Sequence, residues 1–152
     1  MKLVDKYKNY SPVVLRIGIS MVFLWFGITQ IINPNSFLGY VPGWIFPHPL
    51  QMIHEHPFQL VHNLPITPHL LIMGNGIFET IFGTMLILGI FTRIASFLLG
   101  LHLLGIMVSL GYNDLAVRDF GLALSTFAIF LHGPDNWCFD KKLKKVKKRE
   151  QK

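Results

Sequence analysis

Four apolar stretches alternate with short polar breaks along this chain: Pro12–Ile32, His69–Phe91, Ile94–Gly111 and Val117–Gly133. Each is about 17 to 23 residues long, close to the ~20 that an α-helix needs to cross a hydrocarbon core. A backbone amide in lipid has no water to bond, so a helix that satisfies its own hydrogen bonds is the favoured crossing structure. The pattern therefore predicts an all-α fold, a four-helix transmembrane bundle. Punctuation between the stretches agrees. Ser11-Pro12 offers an N-cap followed by proline at the first helical position, and Thr67-Pro68 repeats that start signal. Asn33-Pro34 and Gly133-Pro134 read as stops, Gly89 to Arg93 as a tight turn, and Gly111-Tyr112-Asn113-Asp114 as another.

The connection from helix one to helix two, Pro34–Pro68, differs from the others. It carries prolines 34, 42, 47, 49, 57, 65 and 68, a density that forbids a fifth spanning helix. It also holds Phe37, Tyr40, Trp44, Phe46 and Phe58, residues that suit the lipid headgroup zone. The expectation is a cap on the outer mouth of the bundle, with a short amphipathic helix near Leu50–Leu64. Such a cap is either a passive interfacial loop or a lid over a pocket.

Composition sharpens the class. Hydrophobic residues make up 51% and charged residues 14%, and the mean hydropathy is +0.45. That is too apolar for an ordinary soluble domain. One membrane unit over residues 1–140 and a basic tail over 141–152 use the whole sequence. Charge gives the orientation. Of 14 Lys and Arg, 13 fall in the N-terminal arm with Arg16, at Arg93, or in the tail, three segments that four crossings place on one side. Arg118 is on the other. Basic short segments stay cytoplasmic, so both termini are expected there. The net charge of +6 is thus a topology signal and not a nucleic-acid footprint. Helix one is too long for a signal peptide and is followed by Asn33-Pro34-Asn35 in place of a cleavage site, so it reads as an uncleaved anchor. Arg16, one turn in, is expected to snorkel to the cytoplasmic interface, since no acidic partner is evident nearby. The tail reads as a topology anchor attracted to anionic headgroups, or as a docking site for a cytoplasmic partner.

Cys138 is the one cysteine. No intrachain disulfide can form, and a dithiol relay within the chain is excluded. There is no haem motif, cysteine cluster or nucleotide fingerprint, so the chain carries no electrons itself.

Polar side chains inside predicted spans are costly and mark candidate sites. Glu79 lies within helix two, flanked on its face by Gly76 and Gly83, with Thr80 beside it. Small residues mark packing faces, so Glu79 is expected to point into the bundle. His102 is near the middle of helix three, with Gly105 and Ser109 on its face. Arg118 and Asp119 open helix four, and Gln30 comes late in helix one. Helix direction puts Gln30, Glu79, His102, Arg118 and Asp119 in the outer half, where they can line one cavity. Arg118 is expected to pair with Glu79 or Asp119, because an unpaired charge in low dielectric is very unfavourable. The group either locks the bundle or forms a polar pocket for a small molecule or quinone head group. A proton or ion path would want more titratable groups through the inner half, which looks dry.

Five histidines, His48, His54, His56, His62 and His69, crowd the outer segment and its exit. His54 and His56 bracket Glu55 and are weak metal-ligand candidates, since no cysteine or second close carboxylate accompanies them. A pH-sensing lid is the related reading.

The chain resembles the DoxX family of small four-helix membrane proteins. The resemblance is carried by VLRIGISMVFLWFGITQIINP at helix one, GIFETIFGTMLILGIFTRIASFLLG across helices two and three, and VRDFGLALSTFAIFLHGPDNWCFD at helix four. It runs from Leu15 to Asp140. The acidic residue in helix two, the Leu-Gly-x-x-Thr-Arg turn and the Arg-Asp pair before a Gly-Leu helix are its most specific points, so Glu79, Arg93, Arg118 and Asp119 are the family-pattern positions. The outer segment is longer than the family pattern. The resemblance implies redox work at the membrane, as in the membrane subunit of thiosulfate:quinone oxidoreductase.

Two functional classes follow. The first is a membrane subunit of a quinone-linked oxidoreductase, with quinone held by Gln30, Glu79, His102 or Arg118. The second is a non-catalytic scaffold or assembly factor. A small-solute carrier, the third, lacks the interrupted helix pair or inverted repeat it would need. The partners to expect are the bilayer, another protein subunit, or a second copy of the chain.

Overall fold

Capping residues decide where the helices of this chain begin and end. The computed structural model describes residues 7–42 and 67–150. The four spans are α1 (Ser11–Ile32), α2 (Pro68–Leu88), α3 (Thr92–Leu110) and α4 (Asp114–His132), and a fifth helix, α5 (Phe139–Glu150), occupies the tail. No strand occurs among the described residues. The Thr67 side chain accepts from the Leu70 amide at the start of α2. Asn113 does the same for Ala116 at the start of α4. Ser11 does not cap α1. A 3-10 turn, Lys8–Tyr10, runs straight into the helix, and Ser11 is its first helical residue. After Asn33 the chain tightens into a second 3-10 segment, Pro34–Tyr40. The amphipathic helix expected near Leu50–Leu64 lies outside the described residues. The tail helix was not legible from the run of lysines.

Four of these helices are long and apolar enough to cross a membrane, and their outward faces are apolar. Val14, Met21, Trp25, Val108 and Leu131 are largely exposed on the bundle, where hydrocarbon replaces water. The protein is an integral membrane protein. Inside, Ile19, Phe23, Leu86, Ala95, Leu99, Leu103, Ala123 and Ile129 form one core.

The spans pair as two close antiparallel hairpins, α1 with α2 and α3 with α4, and contact between the hairpins is sparser. Small residues set the closeness within the first. A Cβ on Gly27 would lie 2.5 Å from Thr80 Oγ1 and 2.8 Å from the Gly76 carbonyl oxygen, and one on Gly76 would lie 2.7 Å from the Gly27 carbonyl oxygen. Helices in lipid gain little from hydrophobic exclusion, so backbone approach of this kind supplies their attraction.

One end of the bundle bears the Arg93 turn and the basic tail, and is called the basic end below. Arg16 is not at its surface. It is buried, and its Nε donates to Asp135 Oδ2 at 2.6 Å. Its Nη1 donates to the carbonyl oxygens of Leu86 and Ile87 in the last turn of α2, where helix carbonyls run short of intrahelical donors. The expectation of a snorkelling Arg16 therefore fails. Its acidic partner comes from beyond the last span, folded back under the bundle by the Gly133-Pro134 turn. Asp140 completes the closure. Its carboxylate accepts from the amides of Phe91 and Thr92 and from Thr92 Oγ1, capping a helix whose preceding residue, Phe91, has φ +47° and no side-chain cap. Gly89 (φ +70°) makes the α2–α3 turn with no room for a side chain, since a Cβ there would lie 2.6 Å from Cys138 Cα. Cys138 is fully buried, and burial pushes its thiol pKa up despite the Thr92 hydroxyl and the Arg16 charge. Burial also opposes ionisation of Asp135. The Arg16 hydrogen bond, the Trp137 amide and the Arg16 charge outweigh it and hold that carboxyl below the usual value.

Two predictions follow from this packing. Gly27→Ala should lower stability by on the order of 1–3 kcal/mol, as overpacking does, read as an earlier thermal transition in detergent; an unchanged transition would contradict the close crossing. Asp135→Ala strands a buried guanidinium and should cost on the order of 3–5 kcal/mol. Because the folded pKa of Asp135 is depressed, its contribution is present above the ordinary carboxylate value of 3.8 and is lost as pH falls through the folded value. Melting temperatures measured from pH 7 downward should fall in acid for the native chain and change less for Asp135→Ala.

Candidate functional site

In the half of the bundle away from the basic end, the two hairpins part around a cavity of about 670 Å³, partly open to the outside. All four spans and the Pro34–Tyr40 segment contribute to its wall. Most of the lining is apolar, including Val22, Phe26, Phe37, Leu103 and Ile106. Gln30, Glu79, His102, Arg118 and Asp119 all line it.

These residues form two clusters. The deeper one is centred on Glu79, which is 3% exposed. Asn75 Nδ2 donates to Gln30 Oε1 at 2.7 Å and to Glu79 Oε1 at 3.1 Å. Gln30 Nε2 makes a long contact, 3.4 Å, with Glu79 Oε2. His102 Nε2 lies 3.4 Å from Glu79 Oε1 but makes no hydrogen bond of good geometry, although the atom is buried. Phe78 stacks on the imidazole at 4.6 Å between ring centroids, tilted by 36°. A carboxylate, two amides and an imidazole from three helices thus converge on one wall of an apolar space.

The second cluster is at the rim. Arg118 donates from Nε to Asp119 Oδ1 at 2.9 Å, and its Nη2 lies 2.8 Å from the same oxygen. Asp119 is buried, while the Arg118 side chain is 47% exposed. The guanidinium carbon sits 5.3 Å from the centre of the Phe26 ring, a cation–π contact between α4 and α1. Of the two partners expected for Arg118, Asp119 is the one it takes. Phe37 stacks edge-on against Phe26 and also touches Tyr40, so the start of the α1–α2 connection is part of the wall. His69 bonds Asn35 at 2.7 Å and ties that segment to α2.

Asn75 was missed from the sequence because it carries no charge. Its position one helical turn before Glu79 was the available signal, since side chains at i and i+4 meet on one helix face. His48, His54, His56 and His62 lie outside the described residues. Among the described residues, no three metal-ligating side chains come together.

The profile of the DoxX family matches residues 11–111. The chain belongs to the DoxX family. The match takes in α1, α2 and α3, and with them Gln30, Asn75, Glu79, Arg93 and His102. Arg118 and Asp119 fall beyond it. No curated protein and no solved structure matches the chain significantly.

The bonding pattern around Glu79 makes a discriminating prediction. Glu79→Leu removes the acceptor for the Asn75 and Gln30 amides and should cost on the order of 1–3 kcal/mol. Glu79→Gln keeps an acceptor there and should cost less. Thermal unfolding in detergent reads the difference; equal losses would contradict the hydrogen-bonded role.

Proposed function

We propose that this DoxX-family protein is a membrane subunit for quinone-linked redox chemistry, with the quinone head group held in the cavity. The observation that carries the reading is the pairing of an apolar chamber with one polar wall. A quinone has the matching chemistry: an apolar ring and tail, and carbonyl oxygens that accept hydrogen bonds. An amide N–H of Gln30, which Asn75 holds in place through the Gln30 oxygen, and an N–H of His102 are the donors within reach of that wall, and Glu79 is a group that can exchange a proton. Arg118 at the rim supplies a further donor.

Reduction of a quinone takes two electrons and two protons. The residues present can hold and pass protons but carry no electrons, so the electrons come from a partner subunit or from a reduced substrate that reacts with the quinone directly. A reduced sulfur compound such as thiosulfate is the donor class suggested by the likeness to thiosulfate:quinone oxidoreductase. In this reading residues 1–140 act as one membrane unit and 141–152 as a basic tail. The concentration of Lys and Arg at the basic end supports a cytoplasmic location for both termini in the cytoplasmic membrane. The competing reading is a non-catalytic scaffold, in which the same polar contacts only hold the hairpins together.

The test is a titration of the purified protein with a short-chain quinone, followed by quenching of intrinsic tryptophan fluorescence. Saturable binding, weakened about tenfold, a loss of ~1.4 kcal/mol, by Asn75→Ala or Gln30→Ala, supports the proposal. No saturable binding by a folded protein, and no quinone co-purifying from membranes, would overturn it in favour of the scaffold.

A further inference from the structure

The tail helix α5 has an amphipathic pattern that the bundle does not use. Phe139, Leu143 and Val146 are spaced i, i+4, i+7 and so share one narrow face, and they are 47%, 61% and 52% exposed. Seven of the other nine residues from Phe139 to Glu150 are Lys or Arg. Among the described residues, the bonds tying α5 to the bundle are at its start: the Asp140 amide to the Gly89 carbonyl, and the Asp140 carboxylate to Phe91 and Thr92. These fix the start of the helix at the turn between two spans. Aromatic residues surround that level. Tyr10, Phe91 and Trp137 are all largely exposed, and the Tyr10 and Trp137 rings meet edge to face at 6.4 Å. Such residues collect at the boundary between acyl chains and headgroups.

A helix of this length is marginal in water on its own. Like charges at i and i+4, as at Lys141 with Lys145 and Lys144 with Lys148, weaken it further. A second copy of α5 would bring the same positive charge and repel it. A surface that is negative, apolar just beneath, and present where the helix starts would satisfy both faces. We propose that α5 is an interfacial helix that binds anionic phospholipid headgroups at the basic end, with Phe139, Leu143 and Val146 dipping into the acyl boundary. The inference is independent of what the cavity holds.

Hydrogen exchange of the full-length protein in nanodiscs tests it. One set of discs contains phosphatidylcholine alone, the other phosphatidylcholine with ~30% phosphatidylglycerol, a content chosen to give a clear surface charge. Amides of α5 should exchange at least ~10-fold more slowly in the anionic discs, as expected for a helix ordered by binding. Raising the salt to 1 M should remove much of that protection, since the screening length falls to ~3 Å. Leu143→Glu with Val146→Glu, and separately Lys144, Lys145, Lys147 and Lys148 all changed to Gln, should each abolish it while exchange in α1–α4 stays unchanged. Equal exchange in the two lipids would overturn the proposal. So would protection that rises with protein concentration, which would mark a second copy, or protection in anionic discs that survives both sets of substitutions.

Discussion

A polar side chain surrounded by hydrocarbon has no water to turn to, so its partners must come from the protein itself. This constraint organises the whole molecule. The described bundle has buried polar contacts at two levels. Near the basic end Arg16 collects Asp135 and the terminal carbonyls of α2. In the opposite half Glu79 collects Asn75, Gln30 and the neighbouring His102. Between and around these levels the interior is filled by Ile19, Phe23, Leu86, Leu99 and their neighbours.

The two levels differ in how completely they are satisfied. At Arg16 each group meets a matching one, and the network reaches residues that follow the last span. The result is a closed floor. At Glu79 the bonds are fewer and longer, and His102 Nε2, on the cavity wall, is buried without a hydrogen bond. Polar groups left partly satisfied beside an open space are the ordinary property of a binding site.

Much of the architecture was legible in the sequence because lipid makes simple demands. Length and hydropathy gave four spans, and Gly76 and Gly83 on the face of Glu79 pointed that carboxyl inward. The five polar residues singled out in the spans do line one cavity. What escaped notice did so for identifiable reasons. Asp135 lies outside every apolar stretch, so nothing in one dimension connects it to Arg16, 119 positions earlier; only the Gly133-Pro134 reversal brings it there. Asn75 is neutral, so charge does not mark it. Ser11 looked like a cap, but the preceding 3-10 turn already delivers the chain into helical geometry. α5 was hidden because repeated lysines read as a solvated tail, and its three apolar positions are too few to stand out.

The glycine contact between α1 and α2 has a mechanical consequence. Where Gly27 meets Gly76 the two backbones touch, with the Thr80 hydroxyl filling the space beside Gly27, so the first hairpin holds its register at that crossing. Its foot is bolted by Arg16 to the end of α2 and to Asp135, just past α4. A gap opened between the hairpins, by contrast, would break the Arg118–Phe26 contact that joins α4 to α1 across the rim.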